Sequence, residues 1–414
     1  MRNEAELEIE LFCKGVRLDP STDLKSYVSS RTRAGLGSGL DIILLGKRKK
    51  RYINVPVNEE FVKNSPFRIM EAFGRYTLTD DRDPHLKYVI DIPPLPEWYK
   101  KKTSSGKLMS RVGVLQGTYL GVYIGDICSF WKTTPKTACK FCTTGVNVGK
   151  SEDLEKRVDD VVETAIAAKE ESGITFIHFN SGEQEKGGLE TAAPYVKAIK
   201  ERVGLLVGVQ VTPSKDLWKY DWLIDLGVDH FSFCYEFQNP EYLKKYCPGK
   251  FEAFGHKTFF DAMEYVAKKM GKGRNSGEII AGIEPIEDTF KAIDYITASG
   301  CFPTVCIFRP LVGAELEDYP TPKYEDMVLV MRHMYESCMK NNIPIGLAPN
   351  IEVSLIVNPD DAVELSPPSI KKYFYELRRK FFKIAALPLF LSKMKKRKIS
   401  VDAFDPSPYK KSPL

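Results

Sequence analysis

From about residue 113 onward, short apolar runs rich in β-branched residues alternate with helical patterns that carry their charges on one face. Neighbouring parallel strands must be joined by a helical crossover, so this alternation predicts a parallel α/β sheet. Six or seven units in succession favour a partial or complete (β/α) barrel over an open doubly wound sheet. The predicted strands span residues 117–127, 174–179, 205–211, 230–235, 278–283, 304–308 and 344–348. The predicted helices span residues 153–172, 189–202, 217–226, 256–270, 287–299 and 324–341.

The remaining residues flank this barrel on both sides. Residues 1–112 show no single hydrophobic period and are predicted to form an N-terminal extension packed on the barrel, which itself spans residues 113–365. Residues 366–414 are predicted to form a basic amphipathic C-terminal tail. With 28% charged and 43% hydrophobic residues among 414, the composition is that of a globular protein and excludes a disordered or collagen-like chain.

Three features of the sequence bear on the cellular compartment. The acidic first residues lack the apolar segment of a secretory signal peptide. The longest apolar run, residues 384–391, is far shorter than the roughly 20 residues of a membrane-spanning helix. Nine cysteines in such a chain indicate reduced thiols or metal ligands rather than a disulfide framework. We therefore expect a cytoplasmic protein.

The positive charge of the chain is concentrated in its tail. Residues 366–414 hold 13 Lys and Arg against 3 Asp and Glu, whereas the remainder holds 47 basic and 52 acidic residues. A nucleic-acid-binding surface needs a basic footprint, which the body of the chain lacks. We therefore expect no nucleic-acid partner.

The loop after the first predicted strand carries three cysteines with the spacing C-x10-C-x2-C: Cys128, Cys139 and Cys142. Loops that follow the strands of a barrel form its catalytic face, so three thiolates would meet there. A structural zinc ion takes four ligands, whereas three thiolates on a four-iron cluster leave one iron open to an exogenous ligand. The spacing favours an iron–sulfur site, with structural zinc as the alternative. The cysteines considered as a fourth ligand are all remote in sequence: Cys13, Cys234 and Cys247.

This three-cysteine loop resembles that of the radical S-adenosylmethionine superfamily, which also has an aromatic residue at the position of Phe141. The usual first gap in that superfamily is three residues, whereas it is ten here. After the second strand, Gly182 and Glu183 match the central pair of the superfamily's Gly-Gly-Glu-Pro motif. The first glycine and the proline of that motif are replaced by Ser181 and Gln184. In the superfamily, this turn holds the amino group of the cofactor through backbone carbonyls.

Later segments resemble the biotin synthase and hydrogenase-maturase branch of the superfamily, and the resemblance spans residues 113–363. Glu236, after the fourth strand, occupies the place of a polar residue that meets the cofactor's ribose in that branch. His256, near the start of the next helix, is a candidate for contact with the cofactor's carboxylate. The alternative for His256 is an ordinary histidine on a helix surface.

The resemblance implies a radical S-adenosylmethionine enzyme that uses a [4Fe–4S] cluster and S-adenosylmethionine. An electron from a donor such as a flavodoxin or ferredoxin would cleave the cofactor to methionine and a 5′-deoxyadenosyl radical. That radical would take a hydrogen atom from a small-molecule substrate, whose identity the resemblance does not supply. The implied metal ligands are Cys128, Cys139 and Cys142, and the implied cofactor-binding residues are Phe141, Gly182, Glu183, Glu236 and His256.

Substrate contacts are predicted at the ends of three strands, where side chains that face the lumen meet ligands. The candidates are Gln210, Tyr235 and Arg309. Arg309 could hold a carboxylate or phosphate through two hydrogen bonds, the alternative being an ion pair at the rim.

Some members of the branch donate sulfur from a second cluster inside the barrel, and Cys234 raises this possibility. Strand alternation places Cys234 on the same face as Glu236, but it places Cys306 on the face opposite Arg309. We therefore expect a single cluster. A sulfur-inserting enzyme with a second cluster and a non-enzymatic, metal-stabilised binding protein remain as alternatives.

The tail shows apolar and aromatic residues at helical spacing, with lysines and arginines between them. Pro388 is expected to end or kink this helix. Such a helix can lie in a membrane interface, which would place the protein on the cytoplasmic face of a membrane. The alternative is that its apolar face packs on the barrel.

Overall fold

The computed structural model describes residues 2–24, 27–28, 39–46 and 49–411. Its first element is helix α1 (Glu4–Lys14), and the N-cap residue of this helix is Asn3. The Asn3 side chain accepts a hydrogen bond from the Glu6 amide, and the Glu6 carboxylate accepts one from the Asn3 amide. This reciprocal capping satisfies two backbone donors that the first turn would otherwise leave unpaired.

The N-terminal residues form a six-stranded sheet with the order β1-β4-β5-β6-β2-β3. Its strand pairs are antiparallel except for the short β1–β4 pair. The inward residues of these strands join one hydrophobic core with the second half of the chain. The strands are β1 (Arg17–Leu18), β2 (Leu40–Leu45), β3 (Lys50–Val55), β4 (Phe67–Ala72), β5 (Arg75–Asp80) and β6 (Asp83–Asp91).

The second sheet has seven strands in the order β13-β12-β11-β10-β9-β8-β7. Strands β8 to β13 are parallel, and β7 forms an antiparallel hairpin with β8. In the described part of the chain, no strand joins β13 back to β7, so the predicted (β/α) barrel is a partial one. The strands are β7 (Val114–Gln116), β8 (Tyr119–Tyr123), β9 (Phe176–Asn180), β10 (Leu206–Gln210), β11 (His230–Glu236), β12 (Asn275–Ala281) and β13 (Phe302–Ile307).

Within the described residues, twelve further helices follow α1. Six of them confirm the predicted crossover and outer helices: α5, α6, α7, α10, α11 and α12. Each of these six buries one face, and α5 ends at Gly173, whose φ of 63° gives the left-handed cap that glycine adopts without strain. The helices are α2 (Met109–Val112), α3 (Ser129–Lys132), α4 (Thr144–Asn147), α5 (Val158–Ser172), α6 (Gly188–Arg202), α7 (Trp218–Leu226), α8 (Pro240–Tyr246), α9 (Pro248–Ala253), α10 (Gly255–Met270), α11 (Ile286–Ala298), α12 (Tyr324–Asn341) and α13 (Ile370–Lys393).

The seventh predicted strand, residues 344–348, is wrong. This segment has no strand pairing, and Gly346 has a φ of 63°, which interrupts an extended conformation. Ile343 and Ile345 are nevertheless fully buried in the core. The apolar run therefore predicts correctly that this segment is buried. Whether the segment also pairs as a strand depends on neighbouring strands, which the run does not specify.

The N-terminal residues attach to the barrel through buried ion pairs. Arg51 of β3 contacts Glu8 of α1 at 2.7 Å and Asp361 at 3.5 Å, and all three side chains are almost completely buried. Near the barrel mouth, the Asn54 amide donates to the Ser354 carbonyl at 2.6 Å. These contacts place the extension over one end of the partial barrel.

The tail helix α13 is continuous and leaves its apolar face exposed. It continues through Pro388 to Lys393 instead of ending there. Its predicted apolar face does not pack on the barrel, because Ile370, Phe381 and Ile384 are 79%, 66% and 75% exposed. Among the described residues, no helix is long and apolar enough to cross a membrane.

Candidate active site

The three loop cysteines lie at the carboxyl end of β8, on the wall of one large pocket. This pocket, which we call the lumen pocket, encloses about 1530 Å³ of atom-free space including its open mouth. Its wall includes Cys128, Cys139, Cys142, Gly182, Gln210 and Glu278.

The cysteine loop is held against the turn that follows β9. The Ser129 amide donates to the Glu183 carbonyl at 2.9 Å, and the Asp126 amide donates to the Gln184 side chain at 2.8 Å. Gly182 lies directly behind Cys128. A Cβ on Gly182 would be 2.3 Å from the Cys128 Cβ and 2.7 Å from its Sγ, so only glycine allows this close approach.

Three polar atoms at the end of β9 are buried without a hydrogen-bond partner: Asn180 Oδ1, Ser181 Oγ and Glu183 Oε2. All three residues line the lumen pocket. Buried polar atoms are nearly always paired in folded proteins, so unpaired ones on a pocket wall mark a place for a polar ligand. Burial also raises the pKa of the Glu183 carboxyl.

The Cys128 thiol is buried and those of Cys139 and Cys142 are half-buried, which affects their ionisation. Burial raises the pKa of Cys128 to about 11 and also raises the pKa of Cys142. Metal binding to these thiols would therefore release protons. In the described residues, no three Cys, His, Asp or Glu side chains are grouped as a ready-made site for a single metal ion.

A fourth thiol lies beside the loop, contrary to the expectation from sequence distance. Cys247, at the corner between α8 and α9, donates a hydrogen bond to Cys139, which lowers the pKa of the Cys139 thiol. The corner is held there because the Lys140 amide donates to the Tyr246 carbonyl at 2.9 Å. The Cys247 thiol itself is fully buried, and this burial raises its pKa.

Phe141 lies on the pocket wall and packs edge-on against Phe237, with ring centroids 6.0 Å apart. It therefore packs the cysteine loop against the residue that follows β11. The donor set as a whole consists of three thiols on one wall, that of Cys128 buried and those of Cys139 and Cys142 half-buried, with unpaired polar atoms beside them. This set fits an iron–sulfur cluster with a polar ligand.

The floor of the lumen pocket is a polar cluster that the sequence only partly indicates. The Gln210 side-chain amide donates to Glu278 Oε2 at 2.6 Å, and the Cys234 thiol contacts the same oxygen at 2.9 Å. Gln210 and Glu278 belong to β10 and β12, which are separated by β11, so their contact shows how strongly the sheet curves. Burial raises the pKa of Glu278. The sequence analysis did not identify Glu278, although its position on the lumen face of a predicted strand could have indicated it.

Glu236 also reaches the lumen pocket, and it is paired with a lysine that the sequence did not single out. Lys250 donates to the Glu236 carboxylate at 2.5 Å and to the Cys234 carbonyl at 2.8 Å. Burial alone would lower the pKa of Lys250, but the Glu236 carboxylate raises it well above its usual value. Glu236 has a φ of 70°, in the left-handed region, and the pairing of β11 with β12 shifts register between Cys234 and Glu236.

Arg309 lines the lumen pocket, but its guanidinium is engaged by the extension. Its Nε donates to Glu59 Oε1 at 2.6 Å, and an Nη donates to Asn54 Oδ1 at 3.1 Å. The predicted clamp for a substrate anion is therefore taken by a carboxylate of the chain itself. The ion pair joins the barrel rim to the extension, as the alternative prediction held, but with Glu59 almost fully buried.

Two other predicted contacts lie outside the lumen pocket. Tyr235 is fully buried on the opposite face of β11, where it packs against His256 and Phe260. His256 Nε2 is 2.7 Å from the Phe237 carbonyl oxygen, so its ring is held within the helix layer. Strand alternation explains Tyr235, because its neighbours Cys234 and Glu236 occupy the lumen face.

Cys306 also departs from the prediction, because it lines the lumen pocket together with Arg309. Strand β13 ends at Ile307, so Arg309 lies beyond the strand and does not follow its alternation. Cys234 and Cys306 therefore both face the lumen.

The known proteins that resemble this chain match it over only part of its length. No family model matches the chain. The chain is similar to the bacteriochlorophyllide c C-7(1)-hydroxylase of Chlorobaculum limnaeum, with 27% identity over 103 residues, which is 25% of this chain and 26% of the hydroxylase. The chain thus matches about a quarter of the length of this curated relative.

Two solved structures are also similar. The FeFe-hydrogenase maturase HydG from Carboxydothermus hydrogenoformans has a TM-score of 0.41 and 17% identity, over 53% of this chain and 52% of that chain. The radical S-adenosylmethionine methyltransferase TsrM from Kitasatospora setae has a TM-score of 0.35 and 14% identity, over 46% of this chain and 36% of that chain.

Proposed function

We propose that this chain is a member of the radical S-adenosylmethionine enzyme superfamily, which the resemblance of its three-cysteine loop and its match to the hydroxylase support. We propose that the lumen pocket binds a [4Fe–4S] cluster and S-adenosylmethionine. The enzyme would then abstract a hydrogen atom from a small-molecule substrate. The observation that carries the proposal is that the cysteine loop, the Gly182 turn and the polar floor line a single pocket.

The chain's residues have distinct roles in this proposal. Cys128, Cys139 and Cys142 would hold the cluster, and Ser181 Oγ and Glu183 Oε2, which lack hydrogen-bond partners, would hold the amino acid end of S-adenosylmethionine. When bound, the two groups together supply a one-electron cleavage of a carbon–sulfur bond and a carbon-centred radical.

The floor and the rim of the pocket prepare the substrate. Gln210 and Glu278 offer hydrogen-bonding groups that orient a polar part of the substrate. Phe12 of α1 and Leu355 line the mouth, and the Arg309–Glu59 pair fixes the extension above it. These contacts exclude water, which protects a reactive radical from side reactions.

The test is anaerobic reconstitution with iron and sulfide, followed by reduction in the presence of S-adenosylmethionine. We expect bound iron and formation of 5′-deoxyadenosine in the wild type, and loss of both in Cys139→Ala. The matched control is Cys338→Ala, which removes another buried thiol, on α12 and outside the lumen pocket. It should keep both properties. Full iron in Cys139→Ala would refute the ligand assignment, and iron without any 5′-deoxyadenosine would favour a metal-stabilised binding protein.

A second candidate function follows from the lumen position of both Cys234 and Cys306. Two thiols beside Glu278 could support a second cluster, which would make sulfur insertion the reaction. Iron analysis separates the candidates, since one [4Fe–4S] cluster gives about four irons per chain and two give more. We expect about four irons, and the same content in Cys234→Ala. A higher value that falls in Cys234→Ala would establish the second candidate instead.

A further inference from the structure

Helix α13 carries an apolar stripe that faces away from the rest of the protein. Residues three or four positions apart share one side of a helix, and the stripe follows this spacing. Its members are all more than half exposed: Ile370, Tyr373, Phe374, Leu377, Phe381 and Ile384. A surface helix of a globular protein normally turns its apolar side inward, so this arrangement is the reverse of the usual one.

The opposite side of α13 is firmly attached to the body, which fixes the direction of the stripe. Tyr375 is buried and donates its hydroxyl to the Ile343 carbonyl at 2.7 Å. Lys372 donates to the Val363 carbonyl at 2.7 Å, and Arg379 contacts Asp360 at 3.4 Å. Near the end of the helix, Lys393 contacts Asp229 at 3.1 Å. Rotating the stripe inward would break all of these contacts.

Basic side chains flank the stripe on both sides. Lys371 and Arg378 lie along one edge and Lys380 along the other, and all three are exposed. Residues 370–398 contain eleven Lys and Arg but a single acidic residue, Glu376, which is paired with Arg379. The surface therefore combines exposed apolar side chains with a strong excess of positive charge.

We propose that the α13 stripe docks on an anionic lipid bilayer, with its apolar residues in the interface and its basic residues against the headgroups. Interfacial helices have this combination of an apolar face and flanking cations. A second copy of the chain fits less well, because a two-fold contact would bring the same cations together without acidic partners. The proposal does not depend on the chemistry of the lumen pocket.

The test is co-sedimentation of the full chain with vesicles of phosphatidylglycerol and phosphatidylcholine and with vesicles of phosphatidylcholine alone. We expect binding to the anionic vesicles only. Phe381→Glu should weaken this binding on the order of tenfold or more, because it removes an aromatic side chain that inserts into the bilayer and adds a charge that the anionic lipids repel. The matched control is Phe73→Glu, which makes the same change at a fully exposed site on the β4–β5 turn and should leave binding unchanged.

Three results would overturn the proposal. Recovery of the wild type in the supernatant with both vesicle types would show that the stripe does not bind lipid. Equal binding of the wild type and Phe381→Glu would show that charge alone attracts the protein and that the stripe does not insert. A dimer in sedimentation velocity that Phe381→Glu dissociates, without vesicle binding, would show that a second copy covers the stripe.

Discussion

The contact between Gly182 and Cys128 supports a sharp prediction about cluster assembly. In Gly182→Ala, the new Cβ would lie 2.3 Å from the Cys128 Cβ, whereas ordinary van der Waals contact begins at 3.4 Å. The two atoms must therefore separate by about 1.1 Å, the difference between these distances. Metal–ligand distances tolerate changes of only about 0.2 Å, so a shift of this size displaces Cys128 from a position that it must share with Cys139 and Cys142. We expect most of the iron to be lost.

The variant should also be less stable, because overpacking a well-packed site costs about 1–3 kcal/mol. Gly277→Ala is the matched control, since its new Cβ would lie 2.6 Å from Ile296 Cγ1 and 3.0 Å from Met263 Cε, outside the lumen pocket. Iron content after anaerobic reconstitution and thermal unfolding followed by circular dichroism measure the two effects. Gly277→Ala should lose stability but keep its iron. Normal iron in Gly182→Ala, or equal iron loss in both variants, would refute the reasoning.

Three further predictions concern groups around the lumen. Glu183→Gln should weaken S-adenosylmethionine binding, measured by equilibrium dialysis, while the iron content stays normal. Lys250→Met should destabilise the fold by about 3–5 kcal/mol because it leaves the Glu236 carboxylate buried without its partner, and adding Glu236→Gln should restore much of the loss in denaturant unfolding. Burial lowers the pKa of His178 to about 3 and of His230 to about 4, from an unfolded value of 6.5. The unfolded chain binds more protons than the folded chain between pH 6.5 and these lowered pKa values. As the pH falls through that range, the free energy of unfolding should fall by up to about 1.4 kcal/mol per pH unit for each histidine, as urea titrations at neutral and mildly acidic pH would show.

Local sequence patterns were sufficient to predict the repeated strand–helix units and the loop of three cysteines. Hydrophobic periodicity reports which side of an element is buried, because that side is set by residues two, three or four positions apart. The same periodicity placed Cys234 and Glu236 together on the lumen face. It failed at Cys306 because the alternation was extended past the end of β13 to Arg309.

Contacts between distant segments were decided only by the tertiary structure. Cys247 and Lys250 reach the loop region because backbone hydrogen bonds dock the α8–α9 corner there, and no spacing in the sequence encodes that docking. Glu278 meets Gln210 because the sheet curves across an intervening strand. The direction of the α13 stripe is the clearest case. The sequence determined that one side of this helix is apolar, but the contacts of Tyr375 and its neighbours with the body decided that this side faces outward, since an amphipathic pattern defines two faces without specifying which one the fold will cover.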